Sequence, residues 1–117
     1  MNAPEHDAPW LVACLCAAWC GLCGEYRPGF DALAREFDAL RFVWVDIEDE
    51  AEALGDIDVV DFPTLLIAQG GRVLYFGPVL PHLQVARQLL QRALAGGLPA
   101  LRERSLSDLA ARLAALG

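Results

Sequence analysis

The sequence predicts an α/β domain, a mixed sheet of about four strands flanked by helices, and three observations carry that prediction. Short runs rich in apolar, β-branched and aromatic residues alternate with stretches whose apolar positions recur at steps of three and four. The turn Gln69-Gly70-Gly71 separates two of the short runs as a hairpin loop does. All four cysteines, Cys14, Cys16, Cys20 and Cys23, crowd where the first strand meets the first helix. Open α/β sheets place their chemistry at such a strand end.

Taken in order, residues 10–16, WLVACLC, form an apolar run suited to a strand buried on both faces. From Cys23 to Leu40 the positions Tyr26, Phe30, Leu33, Phe37 and Leu40 make one helical stripe, with a kink expected at Pro28-Gly29. Residues 41–47, RFVWVDI, read as a second strand, and the acidic stretch 48–55 as a short helix ending at Gly55. Phe62-Pro63-Thr64 opens a third strand, 65–68, and a fourth follows at 72–76, closed by Gly77-Pro78. Residues 82–95 form an amphipathic helix stopped by Gly96-Gly97. A last helix carries Leu106, Leu109, Leu113 and Leu116, with Ser105 or Ser107 as its expected cap. The order is β-α-β-α-β-β-α-α. The first strand–helix–strand unit joins parallel strands by a right-handed crossover.

Composition bounds the function. With 117 residues and 56% of them apolar, the chain is read as one domain, its core over about 10–95 and a helical extension over 98–117. A formal charge of −7 argues against a nucleic-acid partner, because phosphate binding draws on clustered Lys and Arg. Asp46, Glu48, Asp49, Glu50 and Glu52 read as a solvated strand end and helix start rather than a metal site, since no His accompanies them. No apolar run approaches the ~20 residues of a membrane-spanning helix. The segment before Trp10 is acidic rather than basic, unlike a secretion signal, and the expectation is a cytoplasmic protein with no membrane association. His6 and His82 lie far in sequence from the cysteines and are expected at the surface.

Crowded cysteines point to a redox or a metal site rather than to a disulfide framework, which would spread them. Two thiols at i and i+3 in the first turn of a helix lie on one side, close enough to bridge. Exchange needs a thiolate, and the helix start stabilises an anion. That assigns Cys20 as the attacking thiol and Cys23, one turn in, as the resolving one. Cys14 and Cys16 point to one face of a strand, so ligation of zinc or an iron–sulfur group by all four cysteines is the competing reading.

Trp19-Cys20-Gly21-Leu22-Cys23 resembles the W-C-G-P-C motif of the thioredoxin family. Pro28 sits where that family carries its helix-kinking proline, and Val45-Asp46-Ile47-Glu48-Asp49 is similar to its V-D-V-D-D stretch. Phe62-Pro63-Thr64 resembles the segment with the cis-proline, and Gly77 the glycine after the hairpin. The resemblance covers about residues 10–95. It implies a thioredoxin-like thiol–disulfide oxidoreductase with no cofactor beyond a redox-active Cys20–Cys23 disulfide and no metal. It further implies a cis Pro63 facing the cysteines, and substrate contacts from Trp19, Gly21, Leu22, Phe62, Pro63 and Gly77. The expected partners are protein or small-molecule disulfides and dithiols, with a reductase as electron donor.

Departures from the pattern matter as much. Cys14 stands where the family has a buried Asp, and Trp44 where it has the partnering Lys, so these two are expected as active-site support. Leu22 replaces the proline between the cysteines, and Gly24 the lysine after them. Only nine residues precede the first strand, which leaves out the family's opening strand and helix, while the C-terminal helix is extra. Reduction is the expected direction. Oxidation or isomerisation on the same fold, and a non-catalytic binding module, are the alternatives.

Overall fold

The computed structural model describes residues 9–116. Strand β1 (Trp10–Cys16) runs into helix α1 (Gly21–Glu36), then β2 (Arg41–Asp46) and the four-residue α2 (Ala51–Leu54). Strands β3 (Thr64–Gln69) and β4 (Arg72–Pro78), then α3 (Leu83–Leu94) and α4 (Arg104–Ala114), complete the chain. The sheet order is β2-β1-β3-β4. Strand β1 pairs in parallel with β2 and antiparallel with β3, and β3 pairs antiparallel with β4. This is the mixed four-stranded sheet flanked by helices that the sequence predicts.

Because β1 lies inside the sheet, its alternating side chains feed two cores. Val12, Cys14 and Cys16 face α1 and α3, where Cys23, Tyr26, Phe30, Leu33, Ala86 and Leu90 pack. Leu11, Ala13 and Leu15 face the other way, toward Leu54 of α2 and Leu106, Leu109, Ala110 and Leu113 of α4. The C-terminal helix thus lies against a face of the sheet. Arg112 ties it down by donating to the carbonyls of Ala53 (2.6 Å) and Leu54 (3.4 Å) at the end of α2. Arg41 of β2 donates to the carbonyls of Ala114 and Leu116. The segment before α4 also touches the β4 edge, where the Leu101 N–H donates to the Val73 carbonyl at 2.7 Å.

Several boundaries differ from the sequence reading. Helix α1 begins at Gly21, which makes Cys20 its N-cap, and stops at Glu36 rather than continuing to Leu40. Leu40 is buried all the same, from a turn beyond the helix, so its place in the stripe reflects burial and not helical backbone. The cap of α4 is Glu103, without a side-chain hydrogen bond, while Ser105 falls inside the first turn. The hairpin turns at Gly70-Gly71 with Gly70 at φ 60°, a backbone shape that glycine adopts without cost. No helix among the described residues is long and apolar enough to cross a membrane.

Candidate active site

Four sulfurs gather where β1 ends and α1 begins. After Cys16 the chain turns at Ala17–Trp19, and the Cys20 N–H donates to the Ala17 carbonyl at 3.0 Å. Cys20 has extended backbone (φ −90°, ψ 116°), and its carbonyl accepts from the N–H groups of Cys23 at 3.1 Å and Gly24 at 3.4 Å. Those bonds set the first turn. They leave Cys20 half-buried at the helix mouth and turn Cys23 inward, 2% exposed, against β1.

The sulfur pairing departs from the sequence reading. Cys23 is joined to Cys16, with Cα atoms 5.8 Å apart, while Cys20 and Cys14 are free thiols. The expected Cys20–Cys23 disulfide is therefore not the bond this structure contains. The physical reason lies in the crossing of α1 over β1. Cys16 ends the strand with its side chain on the α1 face, and Cys23 is the first α1 residue to reach that face. Cys14, two residues before Cys16 on the same face, brings its Sγ to 3.9 Å from the Cys16 Sγ. In the sequence Cys14 and Cys16 share a strand face, and Cys16 enters only as one of four candidate metal ligands. The i, i+2 spacing at the strand end was the signal.

Cys14 and Trp44, expected as active-site support, lie on β1 and β2 behind the cysteine mouth. Cys14 is fully buried, and burial pushes its thiol from 9.0 up to about 12, against a smaller downward pull from the Arg27 guanidinium. At neutral pH it holds its proton and is no general base. Trp44 is its partner in the β1–β2 register. The Trp44 ring packs edge-on against Phe30, centroids 5.6 Å apart, beneath the Arg27 guanidinium at 4.8 Å. Tyr26, on the inner face of α1, is raised to about 12 by burial and then by Cys14. Its hydroxyl has no hydrogen-bond partner among the described residues.

Around the cysteine mouth Trp19 and Leu22 are open to solvent, while Phe62 is half-buried and Pro63 buried. Trp19 is 68% exposed and stands edge-on to Phe62, centroids 5.5 Å apart. Leu22, on the first turn, is exposed as well. The Phe62–Pro63 peptide is cis, and the Pro63 carbonyl accepts from the Val79 N–H at 3.0 Å. Gly77 pairs with Leu65 across the β3–β4 ladder and has Tyr75 as its neighbour. Of the two histidines, His82 is the exposed N-cap residue of α3, and His6 lies outside the described residues. Among the described residues no group of three or more His, Cys, Asp or Glu is placed to hold a metal ion.

Comparison with known proteins relates the sequence and the fold to a known family. A family model described as thioredoxin matches residues 3–79. Thioredoxin of Bacillus subtilis is 34% identical over 64 residues, 54% of this chain and 62% of that protein. Thioredoxin H2-1 of rice (Oryza sativa subsp. japonica) is 31% identical over 70 residues, 60% of this chain and 51% of that protein. The chain thus spans between half and two thirds of these curated relatives. Among solved structures, Fasciola hepatica thioredoxin aligns with a TM-score of 0.67 at 26% identity, covering 75% of this chain and 84% of that one. Thioredoxin of Trypanosoma brucei brucei aligns with a TM-score of 0.67 at 27% identity, covering 78% of this chain and 80% of that one.

Proposed function

The chain belongs to the thioredoxin family, and from that premise we propose that it is a thiol–disulfide oxidoreductase whose attacking group is Cys20. One observation carries the reading: Cys20 is the free, partly exposed cysteine at the mouth of α1, with Cys23 one turn behind it. The Cys20 thiolate attacks one sulfur of a substrate disulfide, forming a mixed disulfide and expelling the other sulfur as a thiolate. Cys23 in its reduced form then attacks the Cys20 sulfur, releasing the second substrate thiol and leaving Cys20–Cys23 oxidised. Two electrons pass from the dithiol to the substrate.

In this reading an extended substrate lies against Trp19, Gly21, Leu22 and Phe62, with the buried Pro63 and with Gly77 behind them. The exposed Trp19, edge-on to the half-buried Phe62, supports that reading, since an aromatic rim offers apolar contact beside polar backbone. Substrates are protein or small-molecule disulfides, a reductase or a dithiol returns the electrons, and the setting is the cytoplasm, where reduction is the prevailing direction.

The test is single-turnover reduction of a model protein disulfide such as insulin by the fully reduced chain. Cys20→Ser is expected to abolish reduction, and Cys23→Ser to accumulate a mixed disulfide on Cys20. Undiminished reduction by Cys20→Ser would overturn the assignment.

A further inference from the structure

We propose that Cys16 is a third exchange thiol of this site, so that a disulfide collected from substrate at Cys20–Cys23 moves inward to Cys16–Cys23 and frees Cys20. This deepens the oxidoreductase reading and rests on it for the source of the disulfide. The observation behind it is that Cys23 lies between two partners. On one side it is one helical turn from Cys20, whose carbonyl its own N–H engages at 3.1 Å. On the other it is bonded to Cys16 at the end of β1. A first-turn cysteine that reaches a strand cysteine behind it has a choice of bond, and this structure holds the inner one.

The step is an isomerisation and needs no added oxidant. The Cys16 sulfur attacks the Cys23 sulfur of the Cys20–Cys23 disulfide. The Cys16–Cys23 bond forms, the Cys20–Cys23 bond breaks, and Cys20 leaves as a thiolate. The leaving Cys20 thiolate takes up the proton that Cys16 gives up, so one thiol and one disulfide stand on each side of the step. One disulfide is present before and after, and no electrons enter or leave.

The consequence is an oxidised protein with unusual properties. Its disulfide is shielded, with Cys16 and Cys23 1% and 2% exposed, while its surface cysteine is free. In that state Cys20 still attacks a substrate disulfide, but Cys23 is occupied and does not resolve the product. The chain then exchanges through one thiol until an external thiol releases the mixed disulfide. Cys14, 3.9 Å from Cys16 and fully buried, lines the inner end of the sulfur row and takes no bond in this step.

Disulfide mapping of the full chain tests the proposal. Reduced protein is treated with oxidised glutathione, freed of small thiols and equilibrated. It is then alkylated natively with iodoacetamide, acid-quenched and mapped by non-reducing peptide mass spectrometry. The expected product is Cys16–Cys23, with one natively alkylated thiol at Cys20. Cys16→Ala is expected to give Cys20–Cys23 with no natively alkylated thiol. In a time course, Cys20–Cys23 is expected before Cys16–Cys23. Cys20→Ser is expected to slow formation of Cys16–Cys23 by about tenfold or more, because entry is through Cys20. A wild-type product bonded Cys20–Cys23, or an inner disulfide that forms equally fast without Cys20, would overturn it. The mapping also decides the matter should Cys16→Ala fail to fold, since the wild-type pattern alone is diagnostic. Insulin reduction is scored separately. A chain that maps as expected yet reduces no protein disulfide contradicts the oxidoreductase reading and not the position of the bond.

Discussion

Replacing Leu109 by alanine removes the centre of the contact between α4 and the sheet. Leu109 is fully buried, in a cluster with Leu11, Ala13, Leu66, Val73 and Leu113. Little can collapse into the space it leaves. The sheet behind it is hydrogen-bonded on both sides of β1 and β3, and α4 is held at its far end by Arg112 and Arg41. Leucine-to-alanine changes at such sites cost roughly 3–5 kcal/mol, the lost transfer energy plus that of a residual cavity. For a chain of this size that lowers the melting temperature by about 12–20 °C. Urea and thermal unfolding followed by far-UV circular dichroism read the change directly. Leu94→Ala, at a site 46% exposed on α3, is the control and should stay within about 1 kcal/mol of wild type. A Leu109→Ala protein that loses under about 1 kcal/mol while light scattering shows a change of oligomeric state would refute the packing argument. It would mean that the leucine stripe serves association.

Two glycines of α1 are expected to respond oppositely to alanine. At Gly29 an added Cβ meets three carbons of the Leu83 side chain at 2.3–2.7 Å, and that overpacking of about 1–3 kcal/mol, less the helix-propensity gain, leaves Gly29→Ala destabilised by up to about 2 kcal/mol through the α1–α3 contact. At Gly24 nothing lies within 4 Å, and Gly24→Ala should gain about 0.5–1 kcal/mol from helix propensity; equal urea midpoints for the two variants would contradict this. Alkaline stability should report the buried thiol. Cys14 titrates at 9.0 unfolded and at about 12 folded, so its contribution is complete below pH 9 and is lost as pH rises toward 12. By pH 11 the loss is roughly 2–3 kcal/mol, and Tyr26, raised from 10.0 to about 12, adds to it in the same direction. Urea midpoints between pH 8 and 11, on protein alkylated at Cys20 to prevent scrambling, should fall more steeply in wild type than in Cys14→Ala. Parallel slopes would mean that Cys14 ionises without penalty.

Most of the element order was legible because its signals are local. Seven apolar residues in a row gave β1 its full length, and Gly70-Gly71 placed the hairpin. The leucine stripe of α4 announced a face that needed cover, and the structure buries Leu106, Leu109 and Leu113 while Leu116 packs at the margin. The errors arose where burial and backbone part company. Leu40 continues the α1 stripe although the helix has ended, and Ser105 has the chemistry of a cap although the chain enters the helix at Glu103. The sulfur pairing was the hardest to read. Alternation along β1 puts Cys14 and Cys16 on one face, and helical spacing puts Cys20 and Cys23 on one side. Which sulfur of the strand meets which sulfur of the helix depends on how α1 crosses β1, a tertiary fact absent from either local pattern.

The two cores share β1, and that bears on the chemistry. Cys14 and Cys16 reach α1 from one face of the strand, while Leu11, Ala13 and Leu15 on the other face rest against the core that α4 completes. A disulfide between Cys16 and Cys23 demands a fixed separation of strand and helix, with the Cα atoms at 5.8 Å. Movement of β1 toward its second face would open that distance but would leave a Cys20–Cys23 bond undisturbed, since such a bond joins the N-cap of α1 to its own first turn. Helix α4 is therefore more than a cover for apolar surface. If backing β1 is what keeps the strand sulfurs within reach of the helix sulfur, Leu109→Ala should raise the share of Cys20–Cys23 over Cys16–Cys23 in non-reducing peptide mapping, and an unchanged ratio would refute the coupling.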